Sequence, residues 1–380
     1  MDDRTRILHT GRDRDPYTGA SSIPIYQLST YAQEDPFELG AYEYGRGQNP
    51  TREALEHTIA VLEGGEEGFA FASGVAAISS TLLLFQPGDH LVVTRDVYGG
   101  TYRLLAGLFR RWGLRITFVD MSDLGAVEAA ITTDTRALYV ESPSNPTLKV
   151  TDLAAVASLA KARGLLALID NTFMTPYLQR PIALGFDVVV HSATKFLGGH
   201  SDLIAGLAVA RDGSLGRRLG GIQRAVGAIL GPQDSWLVLR GIKTLAARMD
   251  AQQQTAGALA LWLAGRPEVK TVYYPTLPGH PGRDVHLRQA KGGGAVVSFE
   301  LADRDSARRF LEAARLPLLA VSLGGVESIL SYPATMSHAA MPRQERLARG
   351  ITDGLVRLSV GLESERDLRE DLEQALATAR

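Results

Sequence analysis

The sequence predicts an α/β protein, with a mainly parallel sheet flanked by helices and a smaller α+β domain at the C-terminal end. Three observations predict it. From about residue 50 to 230, short β-rich runs alternate with longer helical stretches, the rhythm of βαβ units. Gly231-Pro232 interrupts that rhythm and opens a long segment with few helix breakers. Beyond it, strand-like and helical runs alternate again over a shorter span.

Taken in order, residues 1–45 contain Gly, Pro, Ser and Tyr without periodicity and read as an arm contacting a partner subunit. Residues 46–232 form the α/β domain. Within it HLVVT (90–94), RALYVE (136–141), LLALID (165–170) and FDVVVH (186–191) are short and apolar, the pattern of strands buried on both faces. TYRLLAGLFRRWG and VTDLAAVASLAKARG are the helices between them. Residues 233–380 form the α+β domain. It opens with QDSWLVLRGIKTLAARMDAQQQTAGALALWLAG, read as one helix that links the domains and stops at Gly265-Arg266-Pro267. VKTVYYP, GAVVSFEL and VRLSVGLE are then strands, with RDSARRFLEAAR and SERDLREDLEQALATAR as helices.

Composition narrows the function. Lys plus Arg number 40 against 42 Asp plus Glu, a net charge of −2, so there is no excess of positive charge to hold a nucleic acid. The chain is 45% hydrophobic and 22% charged, and no apolar run approaches the roughly 18 residues of a membrane span. Cysteine is absent, which removes disulfides, thiolate metal sites and a thiol nucleophile. The eight histidines form no ligand pair at helical spacing, so no metal is expected, and His191 and His200 read as packing or supporting groups. The charged N-terminal stretch MDDRTRILHTGRDRD has no apolar core of a secretory signal, which gives the expectation of a cytoplasmic protein.

In a parallel sheet, ligands bind beyond the carboxyl ends of the strands. The residues following the four strands include Tyr98, Asn145, Asp170, Ser192, Thr194 and Lys195. FASGVAA adds Ser73, Gly74 and Val75 at a helix start, where free amides and the helix dipole favour an anion. Singly, each has an ordinary explanation as a cap, a turn or a solvated lysine. Together a phosphate cradle, an amine, a carboxylate and an aromatic ring match the needs of pyridoxal phosphate. The spacings of dinucleotide, P-loop, serine-hydrolase and zincin motifs are all missing.

With YEYGRGQNPTR, FASGVAA, DVYGGTY, ESPSNP, DNTFMTP, HSATKFLGGHSD, AVSLGGVES and VRLSVGLE in order, the chain resembles the Cys/Met-metabolism family of pyridoxal-phosphate enzymes. That family includes cystathionine γ-synthase, cystathionine β- and γ-lyases and methionine γ-lyase. The resemblance covers nearly the whole chain. It implies the aspartate-aminotransferase-like (type I) fold and a homotetramer built from dimers with shared active sites.

On this resemblance Lys195 would hold the cofactor and carry protons with Tyr98, which would also stack on the ring. Asp170 would keep the ring nitrogen protonated. Gly74, Val75, Ser192 and Thr194 would bind the phosphate, joined by Tyr44 and Arg46 from the neighbouring subunit. Arg357 would clamp the carboxylate of an amino-acid substrate, helped by Asn145 and Ser322. Glu43 and Arg103 would meet the far end of a cystathionine, and Gly100 would leave room for it. Val321 stands where many γ-specific relatives have Glu. The resemblance therefore implies a carbon-sulfur lyase acting on cystathionine, with β-elimination ahead of γ. The alternative is a γ-replacement transferase, cystathionine γ-synthase or O-acetylhomoserine sulfhydrylase, with methionine γ-lyase behind both.

Overall fold

The computed structural model describes residues 1–11, 15 and 17–379. Seven strands form the first sheet: β1 (Glu67–Phe71), β2 (His90–Thr94), β3 (Arg115–Val119), β4 (Thr135–Glu141), β5 (Leu166–Asp170), β6 (Val188–Ser192) and β7 (Gly206–Ala210). Their spatial order is β1-β7-β6-β5-β4-β2-β3. The neighbours from β3 through β6 are parallel, whereas β7 runs antiparallel to both β6 and β1. The fold is thus α/β with a mainly parallel sheet, as the alternation in the sequence indicates.

The strands are apolar because both faces are covered. Along β2, Leu91 and Val93 enter one core with Phe71, Ile78, Tyr139 and Val190. Val92, between them, enters a second core with Leu138, Ile169, Val156 and Phe186. Successive side chains point to opposite faces of a strand, so a continuous apolar run serves two helical layers at once. The crossover helices have matching starts. Ser73 caps Gly74–Leu82 by accepting the Ala76 amide at 3.0 Å, and Asp152 caps Leu153–Ala162 by accepting that of Ala155 at 3.0 Å.

The second sheet has the order β10-β11-β12-β9-β8. Its strands are β8 (Thr271–Tyr273), β9 (Val296–Glu300), β10 (Leu318–Leu319), β11 (Ile329–Ser331) and β12 (Leu355–Ser359). Only the β10·β11 pairing is parallel. Helices Arg304–Ala313 and Glu365–Thr378 cover it through Phe310, Leu372 and Leu376. No helix among the described residues is long and apolar enough to cross a membrane.

The linking helix expected over 233–264 is two helices, Pro232–Lys243 and Leu245–Ala264. The break has a local cause at Gly241. Its carbonyl accepts from Arg248 Nη2 at 2.8 Å and from the Thr244 amide and hydroxyl, each at 3.2 Å, so the bond to the next turn is replaced. Gly241 also lies so close to another segment that a Cβ would come within 2.3 Å of the Gly198 carbonyl.

The described residues among 1–45 are more ordered than the reading of an aperiodic arm implies. They begin with a helix, Asp3–His9, whose Ile7 is buried in the core and whose Arg4 pairs with Asp250. The later part is tied to helix Pro50–Glu63. Thr51 donates to the Pro24 carbonyl at 2.7 Å, and the Arg52 guanidinium donates to the carbonyls of Gly45 and Gly47 at 2.8 and 2.9 Å.

Candidate active site

A cavity of about 410 Å³ opens at the carboxyl ends of the first sheet. Ser73, Gly74 and Val75 line it, together with Tyr98 and Arg103 after β2, Asn145 after β4, Asp170 at the end of β5, and Ser192, Thr194 and Lys195 at β6. Ser322 and Arg357 come from the C-terminal part of the chain. These twelve sequence-derived residues therefore share one wall system.

Desolvation of the Lys195 side chain, with the nearby positive charge of Arg357 second, pushes its amine down to about 8. Its Nζ donates to Ser322 Oγ at 2.6 Å. Ser322 holds that hydroxyl from a left-handed backbone, φ 90°, a conformation that costs a non-glycine residue on the order of 1–3 kcal/mol. The carbonyl of the same residue accepts from Arg357 Nη2 at 2.7 Å, and Asn145 Oδ1 accepts from Nη1 at 2.9 Å. Arg357 Nε is buried without a partner. Burial lowers the guanidinium to about 10, which still leaves it charged at neutral pH.

Two carboxylates lie side by side across the ladder, since Glu141 of β4 is in register with Asp170 of β5. Asp170 Oδ1 accepts from the Thr172 hydroxyl at 2.5 Å and the Thr172 amide at 3.0 Å. Neither bond uses Oδ2. Burial raises Asp170 from its usual value against these bonds and the opposing interaction with His191. Glu141 is raised well above its usual value, first by burial and then by the charge of Asp170. Behind Asp170, His191 Nε2 meets Glu63 Oε1 at 2.6 Å in a fully buried pair. His200 Nδ1 bonds the Gly198 carbonyl at 2.8 Å, and neither histidine lines the cavity.

The anion end is set by close backbone approach. A Cβ on Gly74 would stand 2.8 Å from Ser192 Cβ, and one on Gly206 would stand 2.0 Å from the Ser73 carbonyl. The helix start is thus pressed onto β6 and β7, with its first amides beside Ser192. The Thr194 hydroxyl is engaged with the backbone of Ala205, donating to its carbonyl at 3.2 Å.

Tyr44, Arg46 and Glu43 do not line this cavity. Tyr44 is half exposed, Glu43 is exposed, and Arg46 Nη1 donates to the Arg224 carbonyl at 2.6 Å. Gly100 also differs from expectation. A Cβ there would lie 2.3 Å from Tyr98 Cε1, so the missing side chain makes room for the Tyr98 ring rather than for a long substrate. Glu141, Thr172, Phe173, Met336 and Ser337 line the cavity without having been singled out. Glu141 was readable as an acid at a strand end, and Thr172 as a hydroxyl two residues past Asp170; Met336 and Ser337 follow no pattern.

The model of a family described as Cys/Met metabolism PLP-dependent enzyme matches residues 4–377. A cystathionine β-lyase of Bacillus subtilis is 56% identical over 372 residues, covering 98% of this chain and 95% of the relative. A cystathionine γ-lyase of the same organism is 50% identical over 376 residues, covering 99% of each. Among solved structures, cystathionine γ-lyase from Lactobacillus plantarum complexed with L-serine superposes with a TM-score of 0.97 at 48% identity, covering 100% of this chain and 99% of that one.

The residues present fit pyridoxal phosphate. Lys195 offers a desolvated amine, Asp170 Oδ2 is left for a ring N–H, and the glycine-lined helix start offers amides to a phosphate. A positive ring nitrogen beside Asp170 would also offset the burial that now raises its pKa. Asp170→Asn is expected to retain the cofactor while kcat falls by about a hundredfold or more, because a fixed negative charge is removed from a water-poor site. Steady-state kinetics on the reconstituted variant checks this, and a near-normal kcat would assign the ring nitrogen to another group.

Proposed function

The chain belongs to the Cys/Met-metabolism family of pyridoxal-phosphate-dependent enzymes, and from that premise we propose that it is a carbon-sulfur lyase acting on cystathionine. The β-elimination gives homocysteine, pyruvate and ammonia, and it stands ahead of the γ-elimination to cysteine, 2-oxobutanoate and ammonia. The observation that carries the reading is the meeting of the Lys195 amine, Ser322 and the Arg357–Asn145 pair in one cavity. The naming of its relatives as cystathionine lyases supports the choice of substrate.

When bound, pyridoxal phosphate stores the electron pair left by removal of a proton next to an amino group. Arg357, with Asn145, holds the substrate carboxylate through a planar fork. Lys195, whose amine is lowered to about 8, is a base available near neutral pH and sits where it takes that proton. Ser322 steers Nζ through their shared hydrogen bond. Tyr98 would face the ring and share proton transfer with Lys195, both of which line the cavity. Asp170 would hold the ring nitrogen protonated, and the amides of Gly74 and Val75 with the hydroxyls of Ser192 and Thr194 would receive the phosphate.

Val321 supports β over γ. It lines the cavity with 64% of its surface exposed and offers no carboxylate there. Arg103 reaches the cavity and suits the distal carboxylate of cystathionine. Feeding cystathionine and separating the 2-oxo acids is the test. Pyruvate should be at least a major product, and Val321→Glu should shift the balance toward 2-oxobutanoate. Nearly pure 2-oxobutanoate, a preference for methionine, or replacement by a thiol in place of elimination would overturn this reading.

The proposal includes an N-terminal arm over 1–45, a cofactor domain over 46–232 and a C-terminal domain over 233–380. It also includes a homotetramer of dimers in which Tyr44 and Arg46 complete the partner's phosphate site and Glu43 meets the distal ammonium of the substrate. Their position outside the chain's own cavity supports this. A cytoplasmic location belongs with it, since substrate and products are metabolites of the cell's amino-acid pool. Mixing inactive Arg46→Ala with inactive Lys195→Ala subunits should restore activity in hybrids, where one of the two sites is intact. Verified exchange without recovery would place both residues in a single-chain role.

A further inference from the structure

Glu141 is the point where two loops of the site are joined. It ends β4 and is buried, 6% exposed. Its Oε2 accepts the Tyr98 amide at 2.8 Å, and its Oε1 accepts the Asn145 amide at 3.1 Å. One side chain therefore holds the backbone that follows β2 and the backbone that follows β4. From Asn145 the bonds continue through its Oδ1 to Arg357 at 2.9 Å, from Arg357 to the Ser322 carbonyl at 2.7 Å, and from the Ser322 hydroxyl to Lys195 Nζ at 2.6 Å.

Only an acceptor at both ends can make this tie. An ionised carboxylate presents two acceptor oxygens and no donor, whereas a glutamine amide would turn an NH₂ toward one of the two amides. The two amide bonds favour the charged form, while burial and Asp170 oppose it. The geometry carries the tie, since two buried N–H groups each find an acceptor oxygen on this one side chain.

We propose that Glu141 is a positioning residue whose two oxygens lock the Tyr98 loop to the Asn145 loop, and so set the aromatic ring against the Arg357–Asn145 carboxylate clamp. The inference rests on the reading in which that pair binds the substrate carboxylate and Tyr98 meets the cofactor. It adds a residue whose own bonds go to the Tyr98 and Asn145 amides and which governs both placements.

The test uses glycine and pyridoxal phosphate as probes, each with its dissociation constant measured on the purified protein by absorbance. In Glu141→Gln both constants should rise by about tenfold or more, the effect of one buried amide losing its partner. Glu141→Asp, one methylene shorter, cannot span both amides and should weaken the same two constants to a smaller extent. In glycine binding, Glu141→Gln and Asn145→Ala should be non-additive, because one acts through the other. A lower melting temperature with both constants unchanged would overturn the inference, as would full additivity with Asn145→Ala. If Arg357→Ala weakens glycine binding and Glu141→Gln does not, only this inference fails. If Arg357→Ala leaves glycine binding unchanged, the carboxylate reading beneath it fails too.

Discussion

The organising constraint in this molecule is desolvation of the Lys195 amine. Burial disfavours an ammonium ion, and here it acts together with the like charge of Arg357 to bring the amine down to about 8. A surface lysine with the same neighbours would be screened by water and stay protonated. Much of the architecture serves that burial. The amine sits at the carboxyl edge of a sheet covered on both faces, and the C-terminal part of the chain closes over it with Ser322, Leu323 and Arg357.

That closure explains two costly features. Ser322 adopts a left-handed backbone so that its hydroxyl meets Nζ while its carbonyl meets Arg357. Arg357 is buried on β12, held by Asn145 and Ser322, with Nε unpaired. Backbone strain and an unsatisfied donor persist where the surrounding structure over-determines them. The carboxylate pair Glu141–Asp170 follows the same logic. Burial raises both acids, which lie in register, and the charge of Asp170 raises Glu141 further, which suits a site completed by a positively charged ring nitrogen.

What was legible in the sequence follows from how local each signal is. The four apolar runs at 90, 136, 165 and 186 each contain a strand, since a run buried on two faces carries its own signature. The single helix over 233–264 misled, because the break at Thr244 depends on Arg248 capturing the Gly241 carbonyl, and on Gly241 touching Gly198. The antiparallel β7, GLAVA, shows no polar alternation to mark it. In the site, Lys195, Asp170 and Tyr98 were readable as polar residues after strands. Arg357 and Ser322 came only from the family resemblance, since nothing local ties them to residues 127 or more positions away. Gly100 was misread because its neighbour is the Tyr98 ring, a contact no spacing rule exposes. Glu141 was absorbed into its strand, although its carboxylate points its bonds at two other loops.

The central claim, that burial beside Arg357 makes Lys195 an amine near neutral pH, is tested most directly in the cofactor-free protein. The rate at which it takes up pyridoxal phosphate should rise with pH as Lys195 loses its proton, with a midpoint of about 8. Replacing Arg357 by leucine removes the like charge and should move that midpoint upward. A midpoint near 10 in the unaltered protein, close to that of a free lysine at about 10.4, would contradict the account.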